Sequence, residues 1–190
     1  KVITGVVRLS FPHLFEKYAV GGNGEPKYSC MLLIPKTDKA TIRKIKAAQV
    51  EALKLGASKF KGGRPPKTWK DTLRDGDEEA DLDSNPEYAG HMYVSVSNSR
   101  RPGIVDRNVQ PILDSTEIYS GVWARVKLEV FPYKHQQGGD GISFSLGNVQ
   151  KLRDDERFDG STNISCMGLT VVRYCVTIDS RSRPRSRTSR

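Results

Sequence analysis

Residues 121–131 carry the side-chain spacing with the plainest chemical content. Val122, Ala124, Val126, Leu128 and Val130 are apolar and even-numbered, while Trp123, Arg125, Lys127, Glu129 and Phe131 fill the odd positions. Successive side chains of a strand face opposite ways, so the even set faces a core and the odd set faces outward. An indole beside two cations suits a partner with flat π surfaces and negative charge: phosphates take the cations and unstacked bases take the ring. Residues 91–97 repeat the pattern, with Met92, Val94 and Val96 on one face, Tyr93, Ser95 and Ser97 on the other, and Arg100 and Arg101 following. The first strand offers Arg8 and Ser10 opposite Val7 and Leu9. The expected contact set is therefore Tyr93, Trp123 and Tyr133 as the floor of a groove, with Arg8, Arg100, Arg101, Arg125 and Lys127 on phosphates. Trp69, between Lys67 and Lys70 in its vicinity, and Phe60, between Lys59 and Lys61, are further candidates. Phe144 shares its parity with Ile142 and Leu146 and is expected in the core. Any one of these rings could equally pack under a loop or in a dimer contact; three faces seeded alike point to binding.

Other chemistries lack their residues. There is no G-x-x-x-x-G-K-[ST] loop for nucleotide phosphates and no H-E-x-x-H pair. His13, His91 and His135 are scattered without ligand spacing, so no metal or cofactor is expected. Cys30, Cys166 and Cys175 form no C-x-x-C pair and no complete disulfide set, in keeping with a reducing compartment. The run Asp75-Gly76-Asp77-Glu78-Glu79 does not follow the calcium-loop spacing and reads as a solvated loop. A second reading folds that acidic loop over the basic face as an internal mimic of DNA. No helix-turn-helix or zinc finger offers a duplex reader. A binder of single nucleic-acid strands could take DNA or be an RNA-binding barrel, since no residue reports on the 2′-hydroxyl, and a further rival is a metal-dependent nuclease acting on the strands it binds. No stretch approaches the ~20 apolar residues of a membrane span, and the first residues lack the apolar stretch of a signal peptide.

The elements that must position these residues are mostly strands. Residues 2–9, continued less regularly by 11–18, form a first strand; a turn at residues 21–26 leads to a second over 27–34. Thr37 or Asp38 can cap a helix that Gly56 ends, with Ile42, Ile45, Ala48 or Gln49, Ala52 and Leu55 as its apolar stripe. A long irregular loop covers residues 57–85. Strands follow over 91–97, 121–131 and 141–146, and residues 149–152 read as a short helical turn. Five antiparallel strands with one internal amphipathic helix make a mainly β chain, best suited to a small barrel.

Charge agrees with a polyanionic partner. The 31 Lys and Arg against 22 Asp and Glu leave +9, and five arginines without an acid fall in the last ten residues. Residues 71–87 hold eight acids against Arg74 alone, so the remaining barrel is more basic than the total suggests.

An ordered series of short blocks is similar to a family of bacteriophage single-stranded-DNA-binding proteins. The blocks are Lys27-Tyr28-Ser29, Leu32-Leu33-Ile34-Pro35-Lys36, Leu73-Arg74-Asp75-Gly76-Asp77, Tyr88-Ala89-Gly90-His91, Val105-Asp106-Arg107-Asn108, Tyr119-Ser120-Gly121 and Asn148-Val149-Gln150-Lys151-Leu152-Arg153. The resemblance implies an oligonucleotide/oligosaccharide-binding (OB) barrel over residues 1–160. It implies coating of displaced DNA strands in replication or recombination, in the cytoplasm of an infected bacterium, alongside phage or host replication enzymes. Arg107 has two readings within its block: a grip on phosphate, or an ion pair with Asp106 that shapes the loop. Residues 161–190 form a divergent extension ending in a basic Arg/Ser tail rather than the acidic tail that commonly recruits partner enzymes. Such a tail has too few apolar residues to offset chain entropy; it has two readings, added nonspecific phosphate affinity or a divergent end with no evolved role.

Overall fold

The computed structural model of the chain describes residues 1–19, 24–57, 60, 69, 71–135 and 139–159. Lys61, Lys67, Lys70 and the whole extension from residue 161 lie outside the described residues. In chain order the elements are β1 (Val2–Ile3), β2 (Val7–Tyr18), β3 (Lys27–Pro35), α1 (Lys39–Leu55), β4 (Leu73–Asp75), α2 (Gly76–Glu79), β5 (His91–Asn98), β6 (Ile104–Val105), β7 (Trp123–His135) and β8 (Gly139–Arg153).

Five strands close into a ring. β2 pairs with β3, β3 with β5, β5 with β8, β8 with β7, and β7 returns to β2. Directions alternate at every seam except β5–β8, which is parallel at Ser97 opposite Ser145. Strict alternation cannot close an odd ring, so five strands require one parallel seam. The inside is filled by the alternation that the sequence displays: Val122, Ala124, Val126 and Leu128 are fully buried, with Leu32, Ile34, Val94, Phe144 and Leu146 facing them. Cys30 is buried in the same core, and desolvation pushes its thiol up to about 12, so it stays protonated and inert.

Helix α1 begins where Asp38 accepts a hydrogen bond from the Thr41 amide and ends at Gly56, as its sequence predicts. Its buried face is Thr41, Ile45, Gln49, Ala52 and Leu53. Leu55, expected on the apolar stripe, is 79% exposed, because Leu53 takes the contact with Phe60 and Ile142 instead. The Gln49 side-chain amide donates to Asp71 Oδ1 at 2.7 Å, which ties the helix to the approach of β4.

Two expected elements change. Residues 149–152 continue β8 rather than turning into a helix. A register shift beside Gly147 breaks the alternation that ends at Leu146 and returns Val149 to the core. A Cβ at Gly147 would stand 2.7 Å from the Lys127 carbonyl oxygen, so the bulge needs a glycine there. The acidic loop, which contributes β4 and α2, does not cover the basic face. Lys36 Nζ sits between Asp75 and Asp77, and Asp77 also accepts from the Gly90 amide at 2.8 Å. These bonds hold both carboxyls below their usual range and raise the lysine. Asp81 caps its own turn through Ser84, and Glu79 pairs with Arg74, so the acids serve their own loop.

Candidate nucleic-acid interface

The outward face of β7 runs as expected, but much of it is occupied. Trp123 lies opposite Arg8 on β2 and opposite Arg153 on β8. The two guanidiniums stand 5.3 Å and 4.6 Å from the indole centroid. Residues 154–158 then cross this face as a strap. Trp123 Nε1–H donates to Asp155, Arg8 donates to the carbonyls of Gly121 at 3.0 Å and Glu156 at 2.8 Å, and Arg8 also lies 4.3 Å over the Phe158 ring. Lys151 and Tyr119 hold Asp154 from below, at 2.9 Å and 2.8 Å. The Trp123 bond, ahead of the Glu156 amide and the charges of Arg8 and Arg153, lowers the Asp155 carboxyl. The strap passes so close that a Cβ on Gly121, at φ +114°, would meet the Glu156 carbonyl oxygen. Trp123 is therefore half-buried rather than an open platform, and Arg8 is committed to protein partners.

Tyr93 also departs from expectation. It is only 8% exposed, lies edge-on to Tyr88 with centroids 5.1 Å apart, and packs with Leu33 and Phe158. Its strand parity was right; the 3-10 turn at Pro86–Tyr88 covers the face it points to. Phe60 is buried and Trp69 half-buried in a small cluster with Ala52, Leu53 and Ile142, so neither ring is offered to solvent as expected. Tyr133 stands ten residues beyond Trp123 along β7, about 33 Å at strand rise, and its ring lies against Gly141 across the hairpin. Arg100 and Arg101 are exposed just past β5, with Arg101 5.5 Å over the Phe15 ring.

Arg107, Arg125 and Lys127 are exposed, and among the described residues no carboxylate lies within 4 Å of any of them. The two readings of Arg107 are thereby separated. Asp106 turns its carboxylate to the amides of Asn108 and Gln110, both at 2.8 Å, and shapes the loop without the arginine.

The open groove is elsewhere, on the outer face of β2, β3 and β5. It has a volume of about 530 Å³ and is lined by Phe11, His13, Tyr18, Ser29, Met31, Ser95 and Ser97, with Lys27 and Glu25 at one end. Phe11 is 57% and Tyr18 50% exposed. His13 stacks on Tyr18 with centroids 4.3 Å apart and planes 9° from parallel. These rings share a face because β2 is irregular: the register against β3 shifts once between Ser10 and His13 and again between His13 and Tyr18. Phe11 occupies the bulge at φ +47°, pinned by its amide donating to Ser120 Oγ at 2.9 Å. The same irregularity hid the site from strand-alternation reasoning. The remaining signal was compositional, four rings (Phe11, His13, Phe15 and Tyr18) within eight residues of one strand.

Chemically the groove offers aromatic faces, a polarisable thioether at Met31 and three hydroxyls. A hydroxyl donates or accepts as required, so Ser29, Ser95 and Ser97 can meet any base edge. Stacking is likewise indifferent to base identity, because every base has a π face. In OB barrels this is the strand face on which oligonucleotides lie.

Comparison with known proteins agrees with this fold. The family model described as Enterobacter phage Enc34, ssDNA-binding protein, matches residues 1–166. Protein p50 of Acyrthosiphon pisum secondary endosymbiont phage 1 is 37% identical over 166 residues, covering 84% of this chain and 87% of that protein. The single-stranded DNA-binding protein from bacteriophage Enc34, solved in complex with ssDNA, superposes with a TM-score of 0.68 at 30% identity, covering 82% of this chain and 88% of that one. Gp2.5, a single-stranded DNA-binding protein encoded by bacteriophage T7, shares the fold at a TM-score of 0.59 and 13% identity, over 89% of this chain and 98% of that one.

Proposed function

The chain belongs to the family of phage single-stranded-DNA-binding proteins described from Enterobacter phage Enc34, and on that footing we propose that it binds single-stranded DNA without regard to sequence, its bases lying in the aromatic groove of β2, β3 and β5. The observation that carries the reading is the half-exposed Phe11 and Tyr18, with His13 stacked between strand and solvent, over a floor of serines. Exposed rings gathered in a concavity have no role in this fold's own core. They suit bases that are already unpaired, since a duplex keeps its π faces stacked inside.

Phosphates at one end of the groove, where Tyr28 pairs with Asn98 at the close of β5, meet Lys27, Arg100 and Arg101. The role is to cover strands exposed while phage DNA is copied or recombined, inside the infected cell, and no catalytic step is part of it. Among the described residues no helix is long and apolar enough to cross a membrane. Fluorescence anisotropy of labelled oligo-dT tests the reading, with a hairpin duplex and oligo-U as competitors. Saturable binding to oligo-dT that neither competitor displaces at equal nucleotide concentration is expected. Equal displacement by the duplex would overturn it, and preference for oligo-U would move it to RNA.

A further inference from the structure

A second concavity, on the opposite side of the strap, is built from cations rather than rings. It encloses about 460 Å³ between Val6, Arg107, Arg125, Gln150, Leu152 and Arg153. Its three arginines come from three separate places: the loop after β6, the start of β7 and the end of β8. Around the ring it lies on β7 and β8, whereas the aromatic groove lies on β2, β3 and β5. Residues 154–158 cross the β2–β7 seam between the two.

This concavity is held in shape by bonds that leave Arg107 and Arg125 without a carboxylate within 4 Å among the described residues, while Arg153 lies over the Trp123 ring. Gln150, the register partner of Arg125, donates its side-chain amide to the carbonyls of Asp106 and Arg107, both at 3.3 Å. Val105 pairs with the same Gln150 across the parallel β6–β8 ladder. The loop carrying Arg107 is thus anchored to the strand that faces Arg125. Asp106, the one acid in that loop, spends its carboxylate on backbone amides. Arg153 has Asp155 only at 4.0 Å. Three guanidiniums line one concavity with a single carboxylate, Asp155 at 4.0 Å from Arg153, within ion-pair reach among the described residues; their mutual repulsion is relieved when an anion enters. Planar guanidinium forks match phosphate oxygens in pairs. No aromatic ring lines the concavity among the described residues, so it has nothing on which to stack a base.

We propose that Arg107, Arg125 and Arg153 form a phosphate-only site that receives the backbone of the same DNA strand after its bases leave the aromatic groove. The strand therefore turns around the barrel, and one protein covers more nucleotides than its groove can hold. The inference rests on the reading of the groove as the base site.

Its test is a length series of labelled oligo-dT, from about 5 to about 20 nucleotides, spanning the range of OB-fold site sizes. Three proteins are compared: the parent, the triple variant Arg107→Gln, Arg125→Gln, Arg153→Gln, and the double variant Phe11→Ala, Tyr18→Ala. In the triple variant the loss should grow with length, reaching about tenfold or more on the longest oligonucleotide. There its log-log salt slope should fall by roughly 2, at ~0.7 per phosphate contact. The double variant should lose affinity at every length. A triple variant equal to the parent at all lengths, or weakened by the same factor at all lengths, overturns the inference. So does a loss confined to the capture of a second, unlinked strand. A double variant that binds like the parent overturns the base-groove reading instead, whatever the arginines do. Arg125→Glu alone, a single exposed change, gives the same length-dependent result if the triple variant folds poorly.

Discussion

Strands β2 and β7 lie side by side in the barrel and invert the usual relation between pattern and function. β7 alternates without a break, and its outward Trp123, Arg125 and Lys127 read directly as a binding face. Yet its indole is half-covered by residues 154–158 and clamped by Arg8 and Arg153. β2 loses register twice, and its outward rings, Phe11, His13 and Tyr18, stand open around a groove. Regular alternation is what a strand needs to pack; a bulge is what turns extra side chains to one face and leaves them unpaired. In this molecule the start of the regular strand is a bed for the chain's own strap, and the irregular one carries the proposed base groove.

The largest effect should come from removing the open rings. Phe11→Ala with Tyr18→Ala should weaken oligo-dT binding by ~2–6 kcal/mol, at ~1–3 kcal/mol per stacked base, measured by anisotropy at one salt concentration. Trp123→Ala should do the reverse. Losing a half-buried indole and its bond to Asp155 should cost roughly 1–3 kcal/mol of stability, lowering Tm by several degrees while affinity moves less than in the double variant. If Trp123→Ala proves the more damaging to binding, the contrast between the strands is wrong.

Gly121→Ala sharpens the same comparison from the backbone. A Cβ there is strained at φ +114° and collides with the Glu156 carbonyl, so the strap must shift, at roughly 1–3 kcal/mol. Calorimetry should record a lower Tm, and Trp123 emission should move toward the red as water reaches the ring. A variant as stable as the parent would mean that the strap is not seated as described.

The smallest effect is on pH. Asp155 has its carboxyl lowered, chiefly by the hydrogen bond from Trp123. A carboxyl depressed on folding adds stability above its unfolded value and loses it as pH falls through the folded one, so the contribution fades from about pH 4 downward. Trp123 emission should shift over that acid range in the parent and stay flat in Asp155→Asn.

Much of the barrel was legible beforehand, because its determinants are local. Asp38 and Gly56 bound the helix through capping bonds that need only neighbouring residues. The even-numbered run of β7 lies in the core because a strand has no other way to bury it. The ordered blocks of sequence pointed to the family that the match over residues 1–166 identifies. Leu55 and residues 149–152 were misread where a stripe drifts or a bulge resets the period, and each cost one element face and no topology.

What the amino-acid order determined by itself was the inward half of every regular strand, along with the supply of cations and rings, since parity and composition are properties of the chain alone. Which outward residues meet solvent was decided only in three dimensions. Residues 154–158 close over Trp123 from the far end of the described chain, and the turn at Pro86–Tyr88 folds back over Tyr93 on the strand that follows it. Arg107 joins Arg125 and Arg153 because Gln150 anchors a distant loop. Exposure depends on what else folds against a face, and no spacing along one strand encodes that.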